Sequence, residues 1–117
     1  MQAPNYDWTR AAEIINQVGK NFRAQRGDEA IETKEIDREV VRLGGYRYHS
    51  VPPSDYCYNL INKGPQSFQF PLFEWLGLGK YRYLGPGHQY SGPILWKDRK
   101  VGEWKSGCFR LLEDPRE

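Results

Sequence analysis

The side chains best suited to chemistry in this chain are polar and cationic groups spaced to grip a nucleic acid. Ser54, Tyr58, Asn59, Asn62 and Lys63 share one short stretch, and Lys80 and Arg82 follow, two apart. Pro53 fits the first turn of a helix, where a missing N–H is harmless, and Gly64 with Pro65 stops one. The spacing predicts a helix over 54–62 with Cys57, Leu60 and Ile61 inward. Asp55, Tyr58, Asn59, Asn62 and Lys63 are then left outward. On such a helix Asn59 and Asn62 suit adenine edges, and Lys63 suits a phosphate or a guanine edge. Ser54, at the helix N-terminus, suits a phosphate. Lys80 and Arg82 alternate with Tyr81 and Tyr83. One side of that strand therefore offers cations to backbone phosphates while the other packs rings.

Other chemistries are poorly supplied. His49 and His88 are the only histidines, and no zinc-spaced, phosphate-loop or nucleophile-elbow motif is present. Asp55 and Glu74 are isolated carboxylates. We expect no catalysis, no metal and no cofactor. Cys57 and Cys108 lack Cys-x-x-Cys spacing and read as two free buried thiols. A second class is a protein-interaction adaptor of the defence or anti-defence kind. A third is a pocket for a modified base. Tyr46, Tyr48, Tyr56, Tyr58, Trp75, Tyr81, Tyr83, Tyr90, Trp96 and Trp104 supply enough rings for a cage, with Asn59, His49 or Gln89 for the base edge.

The elements that must position these groups follow from the rest of the chain. Its 117 residues suit one domain, and 15% aromatics make a small core adequate. Net charge is only +2, but residues 46–110 hold nine Lys and Arg against four Asp and Glu. The N-terminus has neither a basic nor an apolar leader region, and no run approaches the ~18 apolar residues of a membrane span. We therefore expect a cytoplasmic protein.

A first helix is expected from Trp8 or Thr9 to Val18, capped by Asp7 and ended by Gly19. Phe22 anchors the polar loop after it. Thr33 caps a second helix over 34–43, with Ile36, Val40 and Leu43 on one face and Gly44 and Gly45 as the stop. Residues 46–50 read as a short strand or an extended linker. Residues 67–70 alternate as a strand. Strands over 73–76 and 80–84 flank a Gly-Leu-Gly turn, and strands over 94–97 and 101–104 form another hairpin. A last strand covers 108–112.

Thr33, Lys34, Glu35 and Ile36, then Pro52, Pro53 and Ser54, then Phe73 and the run from Gly79 to Leu84 resemble the HARE-type winged helix-turn-helix. That family has an E-I helix, a T-P helix start and a G-x-Y/F-x-L wing strand; here Val51 and Pro52 replace the Thr-Pro cap. The stretch from Ser54 to Asn59 is also similar to small uncharacterised bacterial proteins. The winged-helix resemblance implies DNA binding by a bacterial or phage protein in restriction or transcription. The expected fold is α+β: a three-helix winged helix-turn-helix over 8–84 with a β extension over 85–112, in one domain.

Overall fold

The structure, a computed structural model, describes residues 8–61 and 70–113, with the backbone alone at Trp8. Asn62, Lys63 and most of the strand expected over 67–70 lie outside the described residues.

Helix α1 spans Trp8–Arg26. Ala11, Ala12, Ile15, Val18 and Phe22 recur at helical spacing and are all buried. The expected stop at Gly19 is overturned, because the helix continues through it. A Cβ on Gly19 would lie 2.1 Å from Cδ1 of Tyr83. The glycine is there to let a ring approach the helix backbone. Phe22, expected as a loop anchor, sits on the same buried helix face.

Strand β1, Ile31–Glu32, leads directly into α2, Thr33–Gly44. The N-cap is Glu32 rather than Thr33. Its backbone N–H donates to Glu35 3.1 Å away, completing a capping box. The Thr33 hydroxyl instead donates to the carbonyl of Gly79, at 3.0 Å. Ile36 and Val40 are buried as expected, whereas Leu43 lies at the surface. Gly45 ends the helix in the left-handed conformation, φ 70°.

Strands β2, Phe73–Gly77, and β3, Lys80–Tyr83, form the expected hairpin. With β1 they make an antiparallel sheet in the order β1-β3-β2. Tyr81 and Tyr83 point into the core and Lys80 is exposed, as the alternation requires. Strands β4, Gly92–Trp96, β5, Arg99–Lys105, and β6, Cys108–Leu111, make a second antiparallel sheet in chain order.

The three-helix winged helix-turn-helix is overturned by the segment between the sheets. No α-helix covers 54–61, the described part of that stretch. Pro53–Asp55 is a single 3-10 turn, and the chain then bends its way between two isolated bridges, at Cys57 and Leu60. The N–H of Tyr58 donates to the Phe73 carbonyl at 2.8 Å, and Phe73 donates back to Tyr56 at 2.9 Å. Three residues on, Ile61 donates to Leu95 and Leu95 to Asn59, at 2.9 and 3.0 Å. The segment thus pairs in parallel first with β2 and then with β4.

Burial explains the choice. Tyr56, Cys57 and Tyr58 are three consecutive buried residues, which no one-sided helix accommodates. Tyr56 and Cys57 join the core beneath the helices, with Ile15, Ile36 and Phe73. Tyr58 and Ile61 join a second core with Tyr90, Ile94, Val101 and Trp104. A non-helical segment turns Tyr56, Cys57 and Leu60 to the first core and Tyr58 and Ile61 to the second, so it serves both.

Candidate functional site

The non-helical segment removes the groove-reading face. Ser54 sits in the 3-10 turn, hydrogen-bonded to the Tyr81 hydroxyl. Tyr58 is 2% exposed. Its hydroxyl donates to the Gly85 carbonyl at 2.6 Å and accepts from the His88 N–H at 3.0 Å. The Asn59 carboxamide is bonded on both sides to the backbone of Trp75. Of the cations expected on the wing, Arg82 lies 3.6 Å from Glu74, and Lys80 is exposed. Ser54, Tyr58 and Asn59 are therefore engaged within the fold, and among the described residues no reading helix accompanies Lys80 and Arg82.

The aromatic cage closes in the same way. Tyr58 stacks on Tyr90 with centroids 5.3 Å apart and meets Trp104 edge-on at 5.0 Å. The Trp104 indole N–H donates to the Tyr58 carbonyl at 2.7 Å. The Tyr90 hydroxyl lies 3.2 Å from Glu74, and burial, aided by that carboxylate, pushes its pKa up. Burial likewise pushes Tyr81 up to about 12. Tyr58, Tyr90 and Trp104 thus pack against one another, and Tyr81 packs on Phe73 in the other core.

The second sheet gathers a group of residues that the sequence pattern alone did not single out. Trp96 pairs with Arg99 across a two-residue turn in which Lys97 and Asp98 both have positive φ, 49° and 65°. That is the backbone of a type I′ turn, whose twist matches the strands it joins. It folds two cations onto one indole. Lys97 Nζ lies 4.5 Å from the Trp96 ring centroid, and the Arg99 guanidinium lies 5.6 Å from it. Lys100 is the next residue, 3.2 Å from Glu103, and Arg99 reaches Glu113 at 3.3 Å. The run from Trp96 to Lys100, one aromatic followed by three cations and one acid, is the sequence signal that could have found this group.

A buried carboxylate was also missed. Asp37, in α2, is 2% exposed. Its Oδ2 lies 2.6 Å from Nδ1 of His49, a residue with φ 66° whose ring is mostly exposed. Burial pushes the Asp37 carboxyl above its ordinary range, and His49 opposes the shift. Among the described residues no three His, Cys, Asp or Glu side chains are grouped to hold a metal ion. Both cysteines are free; Cys57 is buried, whereas Cys108 is exposed, against expectation. No helix among the described residues is long and apolar enough to cross a membrane.

Among the described residues these features define an α+β domain of two α-helices and two three-stranded antiparallel sheets, joined by the segment 53–61 and carrying a cationic hairpin. A family model described as a domain of unknown function (DUF7225) matches residues 13–111, and the chain belongs to that family. The uncharacterized protein YnaC of Bacillus subtilis (strain 168) is 36% identical over 106 residues, covering 86% of this chain. The match covers 40% of YnaC, so the chain spans well under half of that relative's length. The likeness to uncharacterised bacterial proteins thus stands, and neither match supports a HARE-type winged helix. No solved structure shows a significant match.

Proposed function

We propose that this domain is a non-catalytic binding module that holds single-stranded nucleic acid on the β4–β5 hairpin. Trp96, half-buried against the second core, offers the rest of its ring to a base, and Lys97 and Arg99 lie beside it for the phosphates, with Lys100 next along the strand. The observation that carries the reading is the indole with two cations within 6 Å of its ring, held at a two-residue turn. Residues 97–110 add Lys105 and Arg110, making five cations against two acids. Duplex reading by residues 54–62 is set aside, because Tyr58 and Asn59 are occupied internally. A binding module also suits a fold that makes up 40% of a longer relative, where it accompanies further sequence.

The test is an anisotropy titration with a labelled single strand and the matching duplex at low salt. The single strand binds more tightly. Three phosphate contacts give a slope of log K on log[salt] of about −2. Absence of binding to either probe at low salt overturns the proposal.

A further inference from the structure

The turn between β2 and β3 displays a leucine with no evident reward in the monomer. Leu78 is 97% exposed. It has φ 50°, between Gly77 at 91° and Gly79 at 69°. A left-handed conformation is unfavourable for a leucine, and glycine or asparagine would fill this turn with less strain. The turn is nonetheless held firmly. The N–H and hydroxyl of Thr33 both donate to the Gly79 carbonyl, at 2.9 and 3.0 Å. An apolar side chain is thus presented on a preorganised tip, the arrangement that lowers the cost of binding.

At the other end of the same hairpin lies an apolar groove of about 280 Å³, bordered by Ala12, Phe70, Pro71, Leu72 and Pro86. Leu72 immediately precedes β2, whereas Leu78 follows its last residue. Six residues of strand put the two roughly 20 Å apart, so Leu78 cannot fill the groove of its own chain. The charges beside the two features are opposite. Lys80 stands two residues from Leu78, and Glu13 lines the groove. Both are exposed, and neither has an ion-pair partner among the described residues.

We infer that the groove receives Leu78 of a second copy of this chain, with Lys80 of one copy facing Glu13 of the other. Tip and groove are different surfaces, so the contact is heterologous, and repeating it extends a head-to-tail chain or closes a ring. One leucine and one ion pair make a small interface, so association is weak and depends on concentration. This inference stands apart from nucleic-acid binding, which uses the other sheet.

Sedimentation velocity over a protein concentration series tests it. The wild-type sedimentation coefficient rises with concentration, and Leu78→Asp abolishes the rise. Lys80→Glu and Glu13→Lys each weaken association, and the two changes in one chain restore it. A mixture of Leu78→Asp, which keeps its groove, and Glu13→Lys, which keeps its tip, forms dimers but nothing longer. A wild-type monomer at every concentration overturns the inference. Undiminished association of Leu78→Asp overturns it as well. Circular dichroism spectra confirm that each variant is folded, since Leu78, Lys80 and Glu13 are all exposed.

Discussion

The carboxamide of Asn59 pairs with both backbone polar groups of Trp75: Nδ2 donates to the Trp75 carbonyl and the Trp75 N–H donates to Oδ1, each at 2.8 Å. One side chain thereby stands in for a length of strand. It satisfies β2 where the segment 53–61 has already turned toward β4. Asn59→Ala leaves a partly buried N–H and C=O without partners, at a cost of about 1–3 kcal/mol each at most. Urea unfolding is expected to show a lower midpoint with an unchanged m-value. A variant as stable as the parent would mean that water replaces the amide.

Gly19 makes the opposite prediction to its helical context. In an exposed helix, alanine for glycine stabilises by about 1 kcal/mol. Here the new methyl meets the Tyr83 ring 2.1 Å away, so Gly19→Ala is expected to destabilise by about 1–3 kcal/mol. In a Tyr83→Leu background the same change is expected to cost less. A double-mutant cycle by thermal or chemical denaturation checks the coupling.

For binding, Trp96→Ala is expected to lose about 1–3 kcal/mol of single-strand affinity and, because the ring packs against the second core, some stability, so circular dichroism accompanies the titration. Lys97→Ala with Arg99→Ala is expected to flatten the salt slope by about 0.7 for each phosphate no longer neutralised. Anisotropy at several salt concentrations separates the two effects. Equal loss from Asn59→Ala in a folded protein would instead return attention to residues 54–61.

Acid stability is expected to track Glu35. The Arg26 guanidinium, 2.5 Å away, and the Glu32 backbone N–H hold its carboxyl at about 2, below the ordinary 4.5. The folded state therefore releases this proton more readily than the unfolded state. The stabilisation is present above pH 4.5 and is lost as pH falls toward about 2. Glu35→Gln is expected to be less stable at neutral pH and to show a flatter loss through that window in pH-dependent denaturation.

Asp37 carries the reverse sign. Burial raises its folded pKa above the unfolded value near 3.8. Its favourable contribution is complete below 3.8 and fades as pH rises through the folded pKa, where a desolvated carboxylate must ionise. Asp37→Asn is expected to gain stability relative to the parent as pH rises through that range. His49→Ala removes the imidazole that opposes the Asp37 shift and is expected to steepen the parent's loss. Melts from about pH 4 to 8 with both variants decide the point.

Local signals determined much of this protein from sequence alone. The buried stripe from Ala11 to Val18, the Ile36 and Val40 face, the Gly-Leu-Gly turn and the alternation of Lys80, Tyr81, Arg82 and Tyr83 are settled by neighbours a few residues away. Tertiary structure decided the course of residues 54–61 and the length of α1. Pro53 followed by polar residues at helical spacing fits a helix locally. Pairing with Phe73 and Leu95, and two cores needing Cys57 and Tyr58 on opposite sides, fits only a non-helical chain. Gly19 reads as a helix stop until Tyr83, 64 residues later, is brought against it. The same holds for Tyr58, Asn59 and Asp37. Whether a polar side chain faces water or a distant backbone group depends on partners that sequence spacing does not reveal.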